Sequence, residues 1–571
     1  MINDTQFRAW TELFAPKDWL STIRAQHPGL LTQRCCDAIA EEFDLELLRI
    51  AMPSITEKML FFLTGDYESR GQFSEEQLKK AASETLTFLL ENGVGALAEP
   101  FRLLEGKLTD HAHSFVRANS RLLELITVNR ELIATRFFNG SPIGPLTGLK
   151  RVGKIYPGGV AVTELDFDGK KLIFKPRDCR IDAWFEALSQ KYFRDCLYVP
   201  KTLALDDEAG FFEFIANRPA EGYKDAIAAI RNFGAFFAIA DAFELFDLHS
   251  DNYFANGRLV APIDLEGLLK VRSVCPDITD VLPFKFSPVH NALLSFRLKA
   301  DAEEINPFTD KTQPCSILPR IDGEAVSVME YPEEFAKGFE EMYLRLIKLK
   351  AELSDEVENT RGFFIRAFLP YGRSYPKAIE LLNRPVALAS ERYQDFFLNW
   401  IRKKRGTAGE IYGEVCLYEN DCVWKGYAPR FECRTEERHV YFGRELVAPG
   451  FLRETAIETV RSNLRELDEG FIPFAVRVIF WAFNKKIVHL PEDPEALSVS
   501  ERKRTIAEIM ESALICPDGR PIWLPEPVFD HSISDRDIYF NWQKAVLDFC
   551  RQYTGDCRDE EVIPRLSQLT V

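Results

Sequence analysis

Residues 245–267 read LFDLHSDNYFANGRLVAPIDLEG, and they set Asp247, His249, Asn252 and Asp264 close together in an otherwise apolar stretch. Polar groups buried without partners are costly, so such a cluster reads as a loop that presents side chains. DLHSDN alone reads equally well as a helix end running into an Asx turn. The elements on either side decide between the two.

Working outward, residues 222–246, through YKDAIAAIRNFGAFFAIADAFELF, carry a helical pattern, and LVAPIDL (259–265) is a short apolar strand. Further upstream, 199–216 is strand-like around FFEFI, and 180–195 is helical. VAVTELDFDGKKLIFKP (160–176) is two β-rich runs joined at Asp168-Gly169, the dipeptide expected of a tight hairpin. Hairpin, helix, strand, long helix, polar loop and acidic strand follow one another in the order found in kinases. The expected fold is therefore α+β, with a kinase-like bilobal core.

Phosphoryl transfer asks little covalent work of a protein, but needs positioned metal ions, a cation on the phosphates and a carboxylate at the acceptor hydroxyl. In protein kinases the base Asp and a magnesium-binding Asn stand five positions apart, and a second metal-binding Asp follows on a nearby strand. Asp247 and Asn252 have that spacing, and Asp264 follows in IDLEG. Lys175 closes the LIFK strand, comparable to the kinase V-A-I-K lysine, and is expected to hold the α- and β-phosphates of ATP. Glu186 in WFEAL is the expected ion-pair partner of Lys175, with Asp182 as the alternative. In YPGG (156–159), Gly158 and Gly159 would let backbone amides approach phosphate.

The chain has 571 residues, 46% hydrophobic and 28% charged, which suits a globular protein of two to four units. A formal charge of −17 speaks against nonspecific attachment to nucleic acid or anionic lipid. No apolar run is long enough to span a bilayer and the N-terminus lacks a signal-like pattern, so a cytoplasmic protein is expected. The twelve cysteines are scattered without Cys-x-x-Cys and read as buried thiols, with no zinc expected. His111 and His113 lie two apart in a helical pattern and read as a solvated helix surface. Hydrolase, dinucleotide and P-loop signatures are absent from the sequence.

The remaining chain divides by pattern. Residues 1–145 are helical, and SPIGPLTG (141–148) marks a boundary before the core at 146–335. The third unit, 336–485, is helical with the strand-like GFFIRAFL, turns β-rich over 410–445 (EIYGEVCLYENDCVWKGYAPRFECRT opens it) and is helical again from 452. A proline-punctuated tail, 486–571, ends the chain.

The runs GGVAVTELDFDGKKLIFKPRDCRIDAWFEAL (158–188) and FGAFFAIADAFELFDLHSDNYFANGRLVAPIDLEGLL (233–269) resemble the dehydratase domain of class II lanthipeptide synthetases. The resemblance continues through GFEEMYLRLIKLKAEL, FFIRAFLPYGRSYPKAIELL and EVCLYENDCVWKGYAPRF, and covers about 60–485. It implies a core similar to lipid kinases, ATP and magnesium as cofactors, and phosphorylation of Ser and Thr in a precursor peptide, followed by elimination of phosphate. Carried onto this sequence, Lys175 is the nucleotide-binding lysine, Asp247 and His249 serve the acceptor hydroxyl, and Asn252 and Asp264 bind magnesium. Arg366 is the family's first elimination arginine. The implied partners are a precursor peptide with its leader and a separate lyase or cyclase.

Departures limit what is carried over. Where the family has an Asp and a His for elimination, this chain has Lys154 and Tyr156. Where it has a second Arg and a Thr, this chain has Pro370 and Gly372. Phosphorylation without efficient elimination is therefore expected. ICPDGRPIWLPEP and IYFNWQKAVLDFCRQYTGD resemble the approach to the family's cyclase domain, whose zinc ligands are not present before Val571, so no cyclase activity is expected. The alternatives are a complete dehydratase and a non-catalytic peptide-binding partner.

Overall fold

The computed structural model describes residues 10–64, 74–93, 101–248, 252–271, 331–369, 375–389 and 413–473, with short pieces outside these ranges. The chain is a mixed α+β protein in which helices flank several antiparallel sheets.

The N-terminal region is helical as expected: α1 (Trp19–Gln26), α2 (Gln33–Thr64), α3 (Glu75–Asn92), α4 (Leu104–Val128) and α5 (Arg130–Phe138). The start of α3 is fixed by a capping box, in which the Ser74 hydroxyl accepts from Gln77 N–H and the Gln77 side chain accepts from Ser74 N–H. Trp19 of α1, Phe43 of α2 and Phe115 of α4 pack ring against ring inside this layer.

A five-stranded antiparallel sheet follows, made of β1 (Gly148–Tyr156), β2 (Val160–Phe167), β3 (Lys170–Lys175), β4 (Thr202–Leu205) and β5 (Ala209–Glu213), in the order β1-β2-β3-β5-β4. The β2–β3 turn falls at Asp168 and Gly169, both at positive φ, which the right-handed twist of a tight hairpin requires. Side chains of β2 alternate strictly between buried and half-buried. The inward set, including Leu165, Phe167, Leu172, Phe174 and Phe211, shares one apolar core with α1, α2 and α4. Packing therefore runs straight across the boundary expected near residue 145.

After β3 the chain forms α6 (Arg180–Tyr192), and after β5 the long α7 (Tyr223–Ala242). The hairpin β6 (Tyr253–Asn256) and β7 (Leu259–Pro262) follows the polar loop. α8 (Pro332–Glu358) crosses α7 at two glycines: a Cβ on Gly234 would fall 1.9 Å from the Phe335 carbonyl oxygen, and one on Gly338 1.8 Å from that of Arg231. These elements build the second core, around Phe233, Phe236, Phe237, Phe339 and Tyr343.

A second antiparallel sheet joins β8 (Phe364–Ala367), β9 (Phe431–Arg434), β10 (Val440–Phe442) and β11 (Glu445–Ala448) in sequence order. Between β8 and β9 lie α9 (Tyr375–Leu382) and α10 (Gly413–Trp424), and α11 (Ala456–Glu466) follows the sheet. The helix α10 corrects the β-rich reading of 410–424. Val415, Cys416, Glu419, Cys422 and Val423 are its buried residues, a helical spacing that the β-branched and aromatic composition disguises.

His111 is also corrected. It is 2% exposed, with Nδ1 at 3.1 Å from Glu46 Oε1 and Nε2 against the Lys425 carbonyl, while His113 is exposed as expected. The seven cysteines found among the described residues are free, buried thiols. Among the described residues no helix is long and apolar enough to cross a membrane.

Candidate functional site

Lys175 stands at the end of β3, paired across the sheet with Gly210 of β5. Its Nζ donates to Asp264 Oδ1 at 2.9 Å and to the Ile263 carbonyl at 2.9 Å, and it lies over the Phe212 ring. The lysine is 5% exposed, so little water competes for its ammonium. Asp264 comes just after β7. Its carboxyl is pushed up by burial, but Lys175 and Arg177 outweigh that and hold it well below the usual carboxylate range.

The polar loop is tied to this pair through its backbone. The Asn252 carbonyl accepts from Ile263 N–H at 2.8 Å and Asp264 N–H at 3.3 Å, and Asn252 Nδ2 donates to the Asp247 carbonyl at 2.6 Å. Asp247 has φ +64°, a left-handed conformation that Asp tolerates better than most residues and that turns the chain sharply out of the helix end. Lys175, Asp247, Asn252 and Asp264 thus belong to one connected site. His249 lies outside the described residues.

The expected Lys175–Glu186 pair is not formed. Both Glu186 oxygens accept from Arg136 Nη2 at 2.5 Å, and Oε2 also accepts from Thr202 N–H. Glu186 therefore ties α6 to α5 and β4. Asp182, the alternative, is bidentate with Arg177, one contact being 2.8 Å. Asp264 takes the place of both as the partner of Lys175.

Arg177 is a site residue that motif reading passes over, although it stands in the KPR tripeptide beside Lys175. Its Nη2 lies 3.6 Å from Asp264 Oδ1, and its side chain is 4% exposed. A second cationic cluster adjoins the first. Arg366 of β8 donates from Nη1 to Glu266 Oε1 at 2.8 Å and to the Tyr156 hydroxyl at 3.0 Å. The guanidinium of Arg430 sits 5.3 Å from the Tyr156 ring centre. Burial pushes the Glu266 carboxyl up, but Arg366 overrides it and the net shift is downward. The β8–β9 register, with Arg366 opposite Glu432, is what brings Arg430 near. Nothing in the local sequence announces a pairing set across so many residues.

Tyr156 reaches this cluster, whereas Lys154 on the same strand is exposed. Pro370 and Gly372 lie outside the described residues. Of the two glycines expected at phosphate, Gly158 is exposed, while Gly159 packs against α4, where a Cβ would fall 2.8 Å from the Ser114 carbonyl carbon. The Gly159 carbonyl accepts from Arg151, which also pairs with Glu46. The helical region thereby holds the turn between β1 and β2.

Asn252 and Asp264 are the oxygen donors that suit magnesium, which is commonly held by one or two carboxylates and completed by phosphate and water. Among the described residues there is no group of three His, Cys, Asp or Glu side chains able to hold a metal by themselves.

Residues 101–294 match the family described as "Domain of unknown function (DUF4135)". The matched stretch contains Lys175, Arg177, Asp247, Asn252 and Asp264 and ends before Arg366. No curated protein matches the chain.

Proposed function

We propose that the chain is an ATP- and magnesium-dependent kinase of Ser or Thr in a ribosomally made peptide, built on a kinase-like bilobal core. The observation that supports it best is the 2.9 Å pair between Lys175 and Asp264, with Asn252 and Asp247 tied to the same backbone segment. The family matched over 101–294 is associated with lanthipeptide synthetase proteins, which agrees with the resemblance of the motifs.

In this reading Lys175 releases one of its contacts to grip the nucleotide phosphates. Asp247 accepts the proton of the acceptor hydroxyl as that oxygen attacks the γ-phosphorus and ADP departs. Asn252 and Asp264 would hold magnesium, which supplies charge neutralisation on the phosphates when bound. Arg177 keeps Asp264 ionised and oriented, because its other bonds anchor it to Asp182.

A second reading, a complete dehydratase, is favoured by the Tyr156–Arg366 hydrogen bond beside Arg430. Two guanidiniums and a phenol hydroxyl form a place to receive a departing phosphate. Incubation of the purified chain with ATP, magnesium and a Ser/Thr peptide separates the readings by mass, since phosphorylation adds phosphate and dehydration removes water.

A further inference from the structure

A separate cavity of about 530 Å³ opens between α4 and α10 and shares no lining residue with the Lys175–Asp264 site. Lys107 of α4 reaches into it. This lysine is 4% exposed, its Nζ has no hydrogen-bond partner among the described residues, and it lies 4.6 Å from the ring centre of Trp424. Burial lowers its ammonium to about 7, with no charged neighbour offsetting the shift. A buried amine that the protein leaves without an anion is unusual, because buried charges are ordinarily paired.

The surroundings limit what could supply that anion. Arg102 and Lys425 stand at the rim, but so do Asp110, Glu391 and Asp395; Lys425 is already paired with Asp421 at 2.8 Å, and His111, which also lines the cavity, is held by Glu46 and the Lys425 carbonyl. A phosphate, with a charge of about −1.5 to −2, would meet those rim carboxylates at a greater cost than a single carboxylate would. Rim charges of both signs suit a peptide segment that carries both signs itself. The volume falls within the range of roughly 300–1,000 Å³ usual for small-molecule sites.

We propose that this cavity receives a carboxylate side chain of a peptide partner, with Lys107 as its counter-ion and the Trp424 ring as the apolar wall beside it. The proposal is independent of the phosphoryl-transfer reading and can stand or fall without it. On entry the carboxylate recharges Lys107 by favouring its ammonium form, so binding takes up a proton near neutral pH.

The test is pulsed acetylation of the full chain at pH 7, with the Lys107 product read by peptide mass mapping. The competitor is a short Gly/Ser peptide containing Glu-Leu-Lys, compared at equal millimolar concentration with its Gln-Leu-Lys counterpart and with inorganic phosphate. The glutamate peptide is expected to slow acetylation of Lys107 at least threefold, and the glutamine peptide and phosphate are expected to leave it unchanged. Equal protection by the glutamine peptide, protection by phosphate alone, or no protection by the glutamate peptide overturns the proposal. Failure of Lys107 to acetylate in the free chain overturns it as well, since a cavity closed to a small reagent is closed to a side chain. In Lys107→Met the affinity for a fluorescent form of the glutamate peptide should fall at least tenfold while the circular dichroism spectrum and urea-unfolding cooperativity are retained. Unchanged affinity contradicts the assignment.

Discussion

Lys175 and Asp264 stand 89 positions apart in the chain and meet at 2.9 Å, with Arg177 closing on the same carboxylate. Lys175→Ala should slow transfer by on the order of a hundredfold or more, because it removes a cation from a site where water screens little. A steady-state rate at saturating ATP checks this, and an unchanged rate would mean that the wrong strand has been set against the nucleotide. If the proposed kinase reading holds, Asp264→Asn and Asn252→Ala should lose magnesium-dependent turnover and keep the fold as seen by circular dichroism, since each would remove a proposed magnesium ligand rather than core packing. The DLHSDN and IDLEG spacing pointed to Asp247, Asn252 and Asp264, which the fold brings together. Arg177 was within reach in KPR, but the partner of Lys175 was misjudged because Glu186 answers to Arg136 on a helix outside the motif. Away from the site, Lys107 carries a stability consequence whose sign is opposite to that of a salt-bridged lysine. Its folded value of about 7 lies below the unfolded value of about 10.4, so the unfolded chain binds more protons between those limits and stability rises with pH there. Lys107→Met should therefore stabilise the chain at pH 7 by roughly 1–3 kcal/mol and flatten that rise, as measured by urea unfolding at pH 7 and pH 9.5.

Glycine decides two junctions between elements. At the β1–β2 turn Gly159 has φ +76° and no room for a Cβ against Ser114, whereas Gly158 has φ +81° and open space around it. Gly158→Ala should cost about 1–2 kcal/mol of backbone strain, and Gly159→Ala should cost more, because it also pushes α4 off the turn. Comparison of the two unfolding midpoints checks the order, and equal losses would show that the α4 contact contributes nothing. Local pattern revealed the β2–β3 hairpin, α6, α7 and β7 because each obeys one period and is bounded by turn residues, whereas β6 (Tyr253–Asn256) was read as part of the polar loop. The same reading missed α10, where valine, cysteine, tyrosine and tryptophan suggest strand while the buried positions keep helical spacing. It also missed the burial of His111, since nothing in TDHAHSF shows that Glu46 and the Lys425 carbonyl close over it.

Over the whole molecule, the helical region and the five-stranded sheet share one core, with Leu165, Phe167, Leu172, Phe174 and Phe211 packed beneath α1, α2 and α4. A chain beginning at residue 146 would expose these side chains at about 25 cal/mol per Å² of apolar surface, and it should aggregate or bind a hydrophobic dye where the full chain does neither. A well-folded, monomeric product would show that the five-stranded sheet and the elements after it fold independently of the helices after all. The same arrangement bears on the reaction, because Arg151 and Glu46 connect the helical layer to the turn beside Tyr156. Elimination of phosphate needs a base for the Cα proton and help for the leaving group, and an Asp-and-metal transfer site does not by itself supply both. Arg366, bound to Tyr156 and Glu266, offers a cation to a leaving phosphate but no base for the Cα proton, so the proposed kinase reading expects the phosphorylated product to be retained. The decisive measurement is the intact mass of a Ser/Thr peptide encoded beside this protein after incubation with the purified chain, ATP and magnesium. A gain of one or more phosphates that Asp247→Asn abolishes is the expected result. A peptide unchanged in mass under conditions where the chain binds ATP would contradict it.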